Sequence, residues 1–129
     1  MTRALDTNIV VRFLTNDHPG QTALAQRLLQ QDFIISFSVF METEWVLRSV
    51  YRWDRLRIAG AFRAILDLPA FVSAPPDITW VVERFAAGAD FADMIHVTAA
   101  HGASVFATFD SGIAGIVDTE APITIETLA

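Results

Sequence analysis

The chain has 129 residues, of which 53% are hydrophobic, with a mean hydropathy of +0.40 and a formal net charge of −6. That length predicts one domain, residues 1–129, with enough chain for a continuous core. No apolar run nears the ~20 residues of a membrane span. Asp6 interrupts any signal-peptide stretch, and the lack of cysteine excludes a disulfide framework or thiolate metal site. The expected location is therefore the cytoplasm, with no membrane contact.

In chain order, Thr2 to Leu5 is a short strand candidate, and Thr7 can cap a helix carrying Ile9, Val10, Phe13 and Leu14. A turn at Asp17-His18-Pro19-Gly20 precedes a helix from Gln21 to Gln31, with Leu24, Leu28 and Leu29 on one side. Phe33 to Phe37 reads as a buried strand, Val39 to Tyr51 as a strongly apolar helix, and Asp54 to Leu66 as another. Phe71 to Ser73 is a strand, and Pro75-Pro76 is a stiff break. Helices follow over Asp77 to Ala86 and Asp90 to His101. Ser104 to Thr108 is a strand, Ser111 to Val117 a helical turn, and Ile123 to Ile125 the last strand. Strands alternating with helices predict an α/β fold with a parallel sheet covered on both faces.

In such a sheet, ligands bind at the carboxyl ends of the strands. Asp6 and Asp110 stand where predicted strands end, although acids there are often simple helix caps. Glu42 lies at helical spacing from Val39, Trp45 and Val46, so it is expected on a core-facing stripe, where a metal ion or an arginine would have to offset its charge. Glu44 is expected on another, exposed face, paired with Arg48 four residues on. Asp90 and Asp93 open a helix: Asp90 suits an N-cap and Asp93 a capping-box position, while Asp93 also shares a face with Val97 and Ala100. His18 lies in a turn, His101 near a helix C-terminus where it suits the dipole, and His96 has no partner at metal-ligand spacing. Oxygen-only ligands select hard ions such as Mg²⁺ or Mn²⁺, which support phosphodiester hydrolysis.

The negative net charge argues against a nucleic-acid binder, but its distribution softens that. There is no lysine, and five of the nine arginines (Arg48, Arg52, Arg55, Arg57 and Arg63) fall in one stretch whose only acid is Asp54. Arg48, Arg52 and Arg55 are candidates to track an RNA backbone; the plainer reading is a solvated helical face. The apolar surplus fits a patch covered by a partner or a second copy.

Four segments taken together resemble the PIN-domain ribonucleases, specifically the VapC-type toxins. They are Leu5-Asp6-Thr7-Asn8-Ile9-Val10-Val11-Arg12-Phe13-Leu14, Met41-Glu42-Thr43-Glu44-Trp45-Val46-Leu47-Arg48, Ala89-Asp90-Phe91-Ala92-Asp93-Met94-Ile95 and Ala107-Thr108-Phe109-Asp110. The resemblance covers nearly the whole chain. It implies a three-layer α/β/α domain with a central parallel sheet, and catalytic and metal-holding roles for Asp6, Glu42, Asp93 and Asp110, with Asp90 as a further ligand candidate. It implies supporting roles for Thr7, Asn8 and Thr108, and dependence on Mg²⁺ or Mn²⁺. An RNA substrate, a homodimer and a co-encoded antitoxin that fills the groove are implied too. The chain departs from the family at Ser111-Gly112-Ile113, where an acidic-aromatic pair usually follows the fourth acid. Two other readings remain: a degenerate PIN-like protein acting only through an antitoxin complex, and a phosphoryl-transfer protein of the receiver type. The latter normally uses a lysine, which this chain lacks.

Overall fold

The computed structural model describes residues 1–129. The chain divides into two compact units, Met1–Pro75 and Pro76–Ala129, and the division falls at the Pro75-Pro76 break. Proline fixes φ and restricts the residue before it, so the pair interrupts regular structure there.

The first unit runs β1 (Arg3–Ala4), α1 (Thr7–Thr15), α2 (Pro19–Leu28), β2 (Phe33–Ile34), α3 (Phe37–Ser49), α4 (Arg55–Leu66) and β3 (Phe71–Ser73). Its strands form one parallel sheet in the order β1-β2-β3. The Leu5 amide donates to the Ile34 carbonyl at 3.0 Å, so the ladder runs to the residue before Asp6. Phe40 packs edge-on against Phe62 at 5.3 Å and Phe33 against Phe71 at 4.8 Å. Phe33, Phe40, Leu47, Ile58, Phe62 and Ile65 are fully buried. Those rings and branched chains supply the unit's apolar burial.

The second unit runs α5 (Ile78–Ala86), α6 (Phe91–Ala99), β4 (Val105–Thr108), α7 (Ser111–Ile116) and β5 (Thr124–Thr127). Strands β4 and β5 pair in parallel from Val105–Thr124 to Thr108–Thr127. Phe85 of α5 meets Phe91 of α6 edge-on at 5.4 Å, with Val81 and Met94 also buried. The α/β class with parallel strands is thus the observed one, and the strands hydrogen-bond as a three-stranded and a two-stranded sheet.

Several expected boundaries move, each for a local reason. The cap of α1 is Asp6, whose Oδ1 accepts from the Thr7 amide at 2.8 Å, and Thr7 itself is buried in the first turn. Helix α2 starts two residues early because His18 caps it through Nδ1, which accepts from the Gln21 amide at 3.2 Å. Proline then occupies the first helical position, where its missing N–H is not needed. Leu24 is exposed; Leu29 is buried as expected, and Thr22 and Ala25 face inward as well. The strand expected over Phe33 to Phe37 ends at Ile34, because the Ser36 hydroxyl caps α3 by accepting from the Val39 amide. The last strand ends at Thr127 rather than Ile125.

Candidate active site

In the first unit, Asp6 stands at the carboxyl end of β1 and Glu42 lies in the second turn of α3. Both line one open cavity of about 310 Å³ together with Thr7, Asn8, Val11, Arg12 and Tyr51. The Asp6 carboxylate caps α1, and both acids are exposed. Neither is paired with a cation of the protein.

The expected placement of the α3 glutamates is reversed. The buried residues of α3 are Phe40, Thr43, Glu44 and Leu47, an i, i+3, i+4, i+7 stripe. Glu42 is exposed, as is Trp45, and Val39 and Val46 are half-buried. The 39/42/46 and 40/43/47 stripes are both largely apolar, and the one carrying Phe40 and Leu47 buries the larger side chains. Glu44 turns inward at 3% exposure, and its Oε1 accepts from Arg48 Nε at 3.0 Å. The pair expected on the surface is therefore a partly buried one. Glu42 is left free to face the cavity with Asp6.

In the second unit, Asp90, Asp93 and Asp110 line one cavity of about 300 Å³ with Gly88, Ala89 and Gly112. Asp90 caps α6, and its Oδ1 accepts from the Asp93 amide at 2.9 Å. Asp110 caps α7 by accepting from the Gly112 amide at 2.8 Å. The Thr108 hydroxyl accepts from the Asp110 amide at 3.0 Å, which fixes the turn that presents this acid. Asp93 is half-buried and makes no side-chain hydrogen bond of its own. Burial raises its pKa above 3.8, the carboxylates of Asp90 and Asp110 raise it further, and His96 opposes them.

The acids thus share cavities as Asp6 with Glu42 and as Asp90 with Asp93 and Asp110. Within either unit, no three acidic or histidine side chains stand close enough to grip one ion together. The chemistry of both sets still suits a hard divalent cation: all donors are oxygens, and a cation beside Asp93 would relieve the repulsion that raises its pKa.

Comparison with protein families matches the PIN domain over residues 3–118. The chain belongs to the PIN-domain family. No similar curated protein and no similar solved structure was found. PIN domains are generally nucleases that use divalent metals, so nuclease is the coarse assignment this membership gives.

The arginines expected to meet RNA are all exposed: Arg48 beside Glu44, Arg52 with a left-handed backbone at φ 60°, and Arg55 opening α4. Arg57 lies over the Trp53 ring at 3.9 Å, a cation–π contact. What the sequence concealed is Arg12, in the wall of the Asp6–Glu42 cavity. Its Nε donates to Gln21 Oε1 at 2.8 Å, and one terminal nitrogen reaches the Tyr51 hydroxyl at 3.2 Å and Asp17 Oδ1 at 3.5 Å. Tyr51 lies 39 residues away, beyond any local spacing rule.

Proposed function

We propose that this PIN domain is a Mg²⁺- or Mn²⁺-dependent endoribonuclease acting as the toxin of a toxin–antitoxin pair. Asp6 and Glu42 in the first unit and Asp93 and Asp110 in the second supply its carboxylates. The observation that carries the reading is the crowding of Asp93, half-buried and with its pKa raised partly by Asp90 and Asp110. A protein keeps mutually repelling carboxylates at a cost to stability, and a divalent cation at the site offsets that cost. When bound, such an ion lowers the pKa of water and neutralises charge at phosphorus. Thr108 and the cap bonds of Asp6 and Asp110 hold two of these acids in place, and the cap bond of Asp90 fixes the turn before Asp93. An antitoxin tail with a basic group among apolar ones would complement an acidic cavity edged by Val46 and Val50, and a homodimer would cover further apolar surface.

The test is RNA cleavage by the purified chain with Mg²⁺, with Mn²⁺ and with chelator, followed by co-expression with the neighbouring small reading frame. Metal-dependent cleavage that the co-expressed product suppresses is the expected result. A chain that cleaves no RNA with either metal overturns the nuclease reading. Cleavage with no inhibitory partner removes only the toxin role.

A further inference from the structure

Arg12 is the fourth-to-last residue of α1 and is only partly exposed, at 31% of its side chain. Three partners fix it. Gln21 of α2 accepts from Nε, and Asp17 and the Tyr51 hydroxyl accept from one terminal nitrogen. Those partners are themselves tied together: Tyr51 donates to Asp17 Oδ2 at 2.7 Å, and Thr15 donates to Asp17 Oδ1 at 2.9 Å. A guanidinium carries five N–H donors, and this network engages Nε and one terminal nitrogen. The second terminal nitrogen makes no bond within the protein.

The placement matters because Arg12 lines the same cavity as Asp6 and Glu42 yet pairs with neither. Its counter-ion is Asp17. The cavity therefore presents two unpaired carboxylates and, six residues along from Asp6, a guanidinium held in one orientation. At 1.5 Å per residue the two backbones are about 9 Å apart along the helix axis, and the side chains of Arg12 and both acids line one cavity of about 310 Å³. A planar fork already held in place loses little freedom on meeting a phosphate.

We propose that Arg12 is a phosphate-binding residue that grips the nucleic-acid backbone beside the carboxylates, with Asp17, Gln21 and Tyr51 as the residues that position it. The inference rests on the nuclease reading and adds to it a residue and a role. The arrangement also explains why a cation is tolerated beside acids whose work is to attract metal: Asp17 neutralises it and holds it back from Asp6 and Glu42.

The experiment measures binding of a dye-labelled, mixed-sequence single-stranded RNA to the full chain in Ca²⁺ across a range of salt. Arg12→Gln should weaken binding about tenfold and lower the slope of log affinity against log salt by about one. Asp17→Asn leaves the guanidinium without its counter-charge and should tighten binding severalfold. Asp67→Asn, which removes an exposed charge at the end of α4, should change it far less. A purely structural latch predicts the opposite pattern: a lower melting temperature for Arg12→Gln with the salt slope unchanged, and no gain from Asp17→Asn over Asp67→Asn. That pattern overturns the proposal while the wild-type chain still binds and cleaves RNA. If Arg12→Gln does not fold, the comparison of Asp17→Asn with Asp67→Asn decides it. A wild-type chain that neither binds nor cleaves RNA overturns the nuclease reading and this inference together.

Discussion

Glu44 and Arg48 form an ion pair across one turn of α3 in which the glutamate side chain is 4% exposed and the arginine side chain 52%. The two neighbouring glutamates therefore separate experimentally. Glu44→Gln removes a buried charge from its partner and should destabilise the fold by about 1–3 kcal/mol, while the folded fraction cleaves RNA nearly as before. Glu42→Gln should do the reverse, holding the melting temperature and lowering cleavage by orders of magnitude. Melts and cleavage rates on the same preparations make the comparison. A dead Glu44→Gln with an active Glu42→Gln would show the roles exchanged.

Asp93 gives a pH signature. Its pKa in the folded chain lies above the 3.8 of a free carboxyl, so its ionised form destabilises the native state. That penalty is present in full above the raised pKa, and it fades as pH falls through that value toward 3.8. Asp93→Asn should therefore melt higher than wild type at neutral pH, with the gap closing in acid, and should not cleave RNA. Equal melting temperatures at neutral pH would remove the crowding argument.

Asp17 behaves in the opposite sense. Hydrogen bonds from Tyr51 and Thr15, with Arg12 adding charge, hold its pKa below 3.8. The stability it contributes is present above 3.8 and is lost as pH falls through the lowered value. Tyr51→Phe removes the largest cause and should shrink the acid-dependent drop in melting temperature. An acid limb identical to wild type would refute this account.

Metal should act through mass action. Mg²⁺ or Mn²⁺ at millimolar concentration should raise the melting temperature of the wild-type chain and raise that of Asp93→Asn less. Asp90→Asn, which still caps α6, distinguishes a ligand from a cap: a wild-type metal shift leaves Asp90 as a cap alone. No shift in any variant would argue against a working metal site.

Thr43 is fully buried, and its hydroxyl has no hydrogen-bond partner. Thr43→Val keeps the shape and removes an unsatisfied group, so it should stabilise the chain by about 1 kcal/mol in thermal or denaturant unfolding. A loss of stability would mean that the hydroxyl is satisfied in solution.

The element order and the acids that end strands were legible because caps, prolines and short apolar runs are local signals. Asp90 and Asp110 cap helices where the sequence allowed a cap, and Thr108 sits where it can hold Asp110. The glutamate faces were not legible. Two apolar stripes overlap on α3, offset by one residue, and only packing against Phe62 and Phe71 selects the one through Phe40. Leu24 misled for a similar reason: its helix buries Thr22 and Ala25 and turns Leu24 outward. The bonds of Arg12 and Asp17 to Tyr51 join residues 39 and 34 positions apart, so they exist only once the chain has folded.

Strand β5 lies wholly beyond residue 118, where the family match ends. It nevertheless supplies the whole hydrogen-bonding partner of β4, and the Leu128 amide extends the pairing by donating to the Thr108 carbonyl at 2.8 Å. Trimming the chain to the matched residues would spare every acid discussed above and strip β4 of its neighbour. The bared edge would be open to another chain's strand, so a protein shortened for convenience should aggregate before it fails as a catalyst.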